Sequence, residues 1–310
     1  MRSHANMNQI TGVLMLLFFI GIASAEQRVQ PFSLASKSTN SIADEIKATV
    51  TKIEQAGFVV AGQYSPYVNT HIIAFTNDTL KQAATYSERG GYGAVLRASV
   101  TRNNETTEVA FTNPIYWAAA YRMNANFEKQ YEALKTHLGF VKEFGAGDKI
   151  LTQQDMRKYH YTVMMEYFDD PSELAEYGSH TEAVQKVEAN LDAGKGASKK
   201  VYRIDLGKDE EDKQMTLFGM ALNGHDEKDC SADQFIMSRI DKTTPRQSAH
   251  LPYEILVYGD EVEALFARFR IAISWPHLSM MRSETGATFF KIMCAPGAIE
   301  DTLKEIAGAY

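Results

Sequence analysis

The stretch Val109-Ala110-Phe111-Thr112-Asn113-Pro114-Ile115-Tyr116-Trp117 passes from strand to helix. Thr106 to Thr112 reads as a β-strand. Asn113 is then a helix cap, and Pro114 suits the first turn, where its missing N–H is no loss. Read backward, Tyr92 to Thr101 is a partner strand joined through Asn103-Asn104, and Gly90-Gly91 closes a helix that Asn77-Asp78 opens. Before it lie two more strands, Phe58 to Tyr64 and Thr70 to Phe75. The first helix opens at Ser41 with Asp44 as a capping pair, sets Ile42, Ile46, Val50 and Ile53 on one face, and stops at Gly57. The order is α-β-β-α-β-β-α.

The order recurs downstream. Ser179 with Glu182 caps a helix carrying Val184, Val187 and Leu191, and Val201 to Leu206 and Met215 to Leu222 follow as strands. Ser231 with Gln234 caps a helix, and Leu251 to Tyr258 and Val262 to Ala272 form a hairpin turning at Gly259-Asp260. This predicts an internal duplication over 41–125 and 179–278. Each repeat is followed by a strand and a helix: Tyr159 to Phe168 leads into Asp170-Pro171-Ser172-Glu173, and Thr288 to Met293 leads into Pro296-Gly297. The segment 126–178 connects the units and holds an amphipathic helix with Phe127, Tyr131, Leu134, Leu138 and Val141 on one side, and the second unit runs over 179–310. The expected fold is α+β: two related αββαββα-type repeats packed together, their sheets side by side, in the manner of a fused homodimer.

Ahead of the repeats, residues 1–25 read as a signal peptide, with Arg2, the apolar run Val13 to Ile20 and the small-residue site Ala23-Ser24-Ala25; residues 26–40 read as a polar leader. The apolar run is shorter than the roughly 20 residues of a bilayer span, so no membrane span is expected after cleavage, and the location is periplasmic or secreted. An exported chain lives where disulfides persist. Its two cysteines, Cys230 and Cys294, fit a bridge and two free thiols equally well. The 310 residues, 45% hydrophobic and 23% charged, describe a globular chain, and the net charge of -7 argues against a nucleic-acid partner.

The segment Val109 to Trp117, with Ile73-Ala74-Phe75-Thr76-Asn77, resembles the domain of unknown function 302 family. His250 to Glu254, Ala267 to Ala272 and Leu278 to Met281 resemble its longer exported bacterial members. The resemblance implies a compact α+β domain, often oligomeric, with no established role.

For a site, the hairpin register is the first guide. A strand running to Ala272 puts Arg268 and Arg270 on the same face as Leu251, Tyr253, Ile255, Val257, Val262, Ala264 and Phe266. Two guanidiniums there need carboxylate partners or an anionic ligand. Arg97, Tyr116, Trp117, Tyr121 and Arg122 form a second group at a strand end, with Tyr116 and Trp117 as walls of a ligand site. His160 with Met164 and Met165, and His277 with Met280 and Met281, are better explained by packing than by a metal. No nucleophile elbow, zinc motif, P-loop or dinucleotide fingerprint occurs. The leading expectation is an exported soluble protein binding a small anionic or organic ligand. An enzyme of unrecognised class, with His160 or Glu254 as its acid or base, and an envelope scaffold with an exposed apolar patch are the alternatives.

Overall fold

The computed structural model describes residues 28–309 apart from Glu227; the expected signal peptide lies outside the described residues. The first half contains β1 (Arg28–Val29), β2 (Phe32–Ser38), α1 (Ile42–Gln55), β3 (Val59–Tyr67), β4 (Thr70–Thr76), α2 (Asp78–Thr85), β5 (Leu96–Asn103), β6 (Thr106–Thr112), α3 (Pro114–Ala120), α4 (Glu128–Leu138) and β7 (Lys142–Phe144). The short β8 (Leu151–Thr152) and α5 (Gln153–Met156) lead to the second half: β9 (Pro171–Glu176), α6 (His180–Asp192), β10 (Ser198–Lys208), β11 (Gln214–Leu222), α7 (Asp233–Ile240), β12 (Tyr253–Tyr258), β13 (Glu261–Leu265), α8 (Ala267–Ser274) and α9 (Ala295–Ala307). The class is α+β.

Local chemistry sets the helix starts. The side chains of Ser41, Asn77, Asn113 and Ser179 accept backbone N–H groups from Asp44, Leu80, Ile115 and Glu182, respectively. Each satisfies a donor that the first helical turn cannot pair. Gly259-Asp260 turns the β12–β13 hairpin, with Tyr258 opposite Glu261.

Two antiparallel sheets result, with orders β3-β4-β5-β6-β2-β7 and β10-β11-β12-β13-β9. The first five strands of one correspond in sequence order to the five of the other. One face of the first sheet is covered by α1 and α4, and one face of the second by α6 and α9. The remaining faces meet, so the sheets stack face to face where side-by-side packing was expected. The contacts are reciprocal: α2 packs on β10, α7 packs on β3, and β3 lies against β10. At that junction a Cβ on Gly62 would sit 2.1 Å from the Val201 carbonyl oxygen, so only glycine allows the approach. The hairpin face predicted from Leu251, Tyr253, Ile255, Val257, Val262 and Ala264 is buried under the helices of the second half, while Leu256, Tyr258 and Leu265 face the first sheet's core.

Further sequence expectations need correction. The polar leader 26–40 contains β2, an interior strand between β6 and β7. Its Phe32 and Leu34 are buried, and its polar positions are satisfied, Ser33 by Tyr131 and Lys37 by Glu108. Tyr159 to Phe168 is irregular rather than a strand, and Asp170-Pro171-Ser172-Glu173 begins β9 rather than a helix. Pro171 is tolerated as the strand's first residue. Thr288 to Met293 is a 3-10 turn over Phe289–Ile292. Finally, the strand expected to reach Ala272 ends at Leu265 and α8 takes over. Residues two apart on a helix point nearly opposite ways. Arg268 is therefore half-exposed and Arg270 buried, and they share no face. Cys230 and Cys294 are bridged.

Candidate functional site

Of the six residues proposed to hold a ligand, the fold brings Arg97, Arg270, Tyr116 and Trp117 into the interior between the sheets. Arg97 on β5 donates from Nη1 to Glu254 on β12 at 2.9 Å and from Nε to the Ala249 carbonyl at 3.2 Å, and its guanidinium lies 5.2 Å from the Trp117 ring. Arg270 donates to the Pro252 carbonyl, approaches His250, and reaches the second oxygen of Glu254 at 3.4 Å. The Tyr202 hydroxyl donates to Glu254 at 2.6 Å. Tyr116 and Trp117 donate to the carbonyls of Ile273 and Pro31. Burial works against the charge on Arg97, but the Glu254 carboxylate outweighs it and raises the pKa. Burial, then the neighbouring Arg270 and Arg97, hold His250 well below the ordinary histidine range, so it is neutral. Five cavities of this structure have none of Arg97, Tyr116, Trp117 or Arg270 in their walls. These groups bind each other.

The other two lie apart. Arg122 pairs with Asp169 at 2.6 Å and lines a shallow basic hollow with Arg157, Lys158, His160 and Tyr167. Arg268 bonds Glu166 at the mouth of an apolar cavity. Of the acid-base candidates, His160 borders that basic hollow, its Nδ1 2.9 Å from the Thr162 carbonyl, whereas Glu254 is sealed in the ion cluster. Among the described residues no group of three or more His, Cys, Asp or Glu is placed to hold a metal.

The best-built polar cavity is elsewhere. About 360 Å³ in volume, it opens between the two halves where the β3–β4 turn (Tyr67 to Thr70) and the end of β5 (Thr101, Arg102, Asn103) face α7 and the following loop. Cations rim it: Arg102, Lys242 and Arg246. Arg102 is steadied by the Asn40 carbonyl and the Thr107 hydroxyl, and Arg246 by the Asp241 carbonyl. On its wall, the Thr101 hydroxyl and the Asn103 side-chain amide are buried and bond to nothing in the protein. On the floor, Asp241 accepts from the Gln247 N–H and the Ser248 hydroxyl, and burial pushes its carboxyl up to about 6. The reciprocal position at the other end, about 190 Å³, is lined by Tyr86, Glu88, Asp209, Glu210, Glu211 and Tyr258. One end is basic and the other acidic.

Sequence reasoning missed the basic cleft because its residues come from separated turns with no shared motif. The signal that was available is the Asn103-Asn104 turn facing a loop with Lys242 and Arg246, and it means something only once the halves are stacked.

Beside the cleft, Asp233 at the start of α7 accepts from the Tyr64 hydroxyl at 2.9 Å and the Leu222 N–H at 3.3 Å. Burial raises its carboxyl from 3.8 to about 7. The folded protein thus holds this proton where the unfolded chain has released it, so the contribution to stability is present at acid pH and is lost between about pH 4 and pH 7. Asp233→Asn is expected to melt higher than the parent at pH 8, with the advantage gone at pH 4. Parallel melts at the two pH values check this, and an advantage independent of pH would contradict it.

No family model, curated protein or solved structure matches the chain. Among the described residues no helix is long and apolar enough to cross a membrane.

Proposed function

We propose that this is an exported binding protein for a small organic anion, held in the basic cleft between the two halves. The observation that carries the reading is the convergence of three cations, Arg102, Lys242 and Arg246, on one polar cavity between the halves. A carboxylate or phosphate would take hydrogen bonds from the wall and charge from the rim, and Arg suits such acceptors by its forked geometry. The volume lies within the usual range of small-ligand sites. The acidic lining of the reciprocal end favours a single anion site rather than two equivalent ones. Export rests on the leader 1–25, and kinship with the domain of unknown function 302 family rests on Val109 to Trp117. Neither bears on the ligand.

The test compares native and denatured masses of the protein gently purified from its source, followed by calorimetric titration with small dicarboxylates and phosphate. A removable anionic adduct, with affinity weakened at least about tenfold by Arg246→Ala, is the expected result. Unchanged affinity in Arg246→Ala and Lys242→Ala would refute the site. The floor supplies a pH signature. With Asp241 near 6, lowering the pH from 7 to 5 removes a negative charge beneath the ligand, so the affinity for an anion that stays ionised should rise, and Asp241→Asn should abolish the rise.

A further inference from the structure

A second cavity, of about 440 Å³, lies in the second half between α8, the 3-10 turn Phe289–Ile292 and the first turn of α9. Apart from Arg268 and Glu300, its walls are apolar, with Phe266, Ile271, Phe289 and Ile292 together with three methionines, Met165, Met280 and Met293. Met280 and Met293 are 50% and 71% exposed, an uncommon placement for large apolar side chains on a monomer. Thioethers adapt their shape to what they touch, which suits them to line a ligand site.

The charges at the mouth are paired. Glu300 is engaged by Lys304 at 2.8 Å. Arg268 meets Glu166 through Nη2, and its guanidinium is half-exposed. The neighbouring end of α9 is its N-terminus, where Cys294 supplies no side-chain cap, so the helix adds the positive end of its dipole. With Arg268 paired to Glu166 and Lys304 to Glu300, the side-chain charges at the mouth balance, and the dipole of α9 is what tips the field toward an anion.

Gly297 lies exposed at the edge of the cavity. A Cβ built there would have nothing within 4 Å, and the residue is not in the left-handed region that demands glycine. A glycine inside a helix forfeits roughly 0.5–1 kcal/mol relative to alanine. Packing does not call for it here; what it leaves is room beside the helix.

We propose that this cavity binds a single-chain amphiphile, its apolar tail among the methionine and phenylalanine walls and its anionic head on Arg268. It is distinct from the basic cleft, and neither site depends on the other.

The probe is decanoate, titrated calorimetrically into the purified protein below its self-association concentration, with decanol and decylammonium as head-group controls. Saturable one-to-one binding of decanoate is expected. Gly297→Leu should fill the cavity and weaken binding at least about tenfold while leaving the melting temperature unchanged or higher, which separates blockage from unfolding. Arg268→Gln should weaken decanoate and leave decanol unaffected, and Arg246→Ala should leave decanoate binding intact. Absence of saturable decanoate binding, or wild-type affinity in Gly297→Leu, overturns the site. Decylammonium binding as tightly as decanoate overturns the head-group assignment.

Discussion

Glu254→Gln is expected to lower the unfolding free energy by about 3–5 kcal/mol, seen as a lower urea midpoint at unchanged slope. Glu254 stands between two buried guanidiniums, taking Arg97 on one oxygen at 2.9 Å and Arg270 on the other at 3.4 Å. The strands that carry Arg97 and Glu254 belong to different sheets, so the pair joins the halves at their cores. A buried pair adds little over a well-packed apolar substitute, because desolvation offsets attraction. Removing one partner is a different matter, since it strands the other charge. Glutamine keeps the shape and an acceptor for Tyr202 but leaves two cations facing each other. His250 beside them stays neutral, since burial and the two guanidiniums already disfavour its proton, and it cannot relieve the repulsion. Glu261→Gln, at an exposed position on the adjacent strand, is the control and should change stability by no more than about 0.5 kcal/mol. A loss below about 1 kcal/mol in Glu254→Gln would mean that carbonyls and solvent already balance the two guanidiniums.

That cluster shows where sequence reasoning reached and where it stopped. Arg270 was legible as a residue needing a partner, because a buried cation must be satisfied, and Arg97 and Trp117 as members of one aromatic and cationic group. The partner was not legible, since Glu254 lies on a strand of the other half and meets Arg97 only after the sheets stack. Caps such as Asn113-Pro114 were readable because their physics is local. The strand-to-helix change at Phe266 was not. In sequence Ala267, Phe269 and Ile271 alternate with Arg268 and Arg270, so this short helix carries the alternation of a strand. Asp170-Pro171-Ser172-Glu173 failed for the opposite reason, as a good helix-start pattern overruled by pairing with β13. In β2, Ser33 and Lys37 hid an interior strand because their partners, Tyr131 and Glu108, are distant in sequence. The α+β class survived these errors because it rests on the succession of many elements.

Joint replacement of Cys230 and Cys294 by serine is expected to cost about 4 kcal/mol on the chain-entropy account, the bridge closing a loop of 64 residues. Two features make the prediction sharp. Cys294 is exposed and Cys230 only partly buried, so serine at either position creates no cavity, and the loss reports the crosslink itself. The bridge also ties the loop organised by Asp229, which holds the N–H groups of His225 and Ser231, to the N-cap of α9. Since α9 covers β9 and packs on α6, loosening its start should weaken the second half first. Gly297 and Pro296 in the same first turn line the apolar cavity, so amphiphile binding should weaken along with stability. Urea unfolding with and without reductant, alongside thiol counting in the denatured protein, measures the effect. A loss under about 1 kcal/mol, or two free thiols before any reductant is added, would show that the loop is held by packing alone.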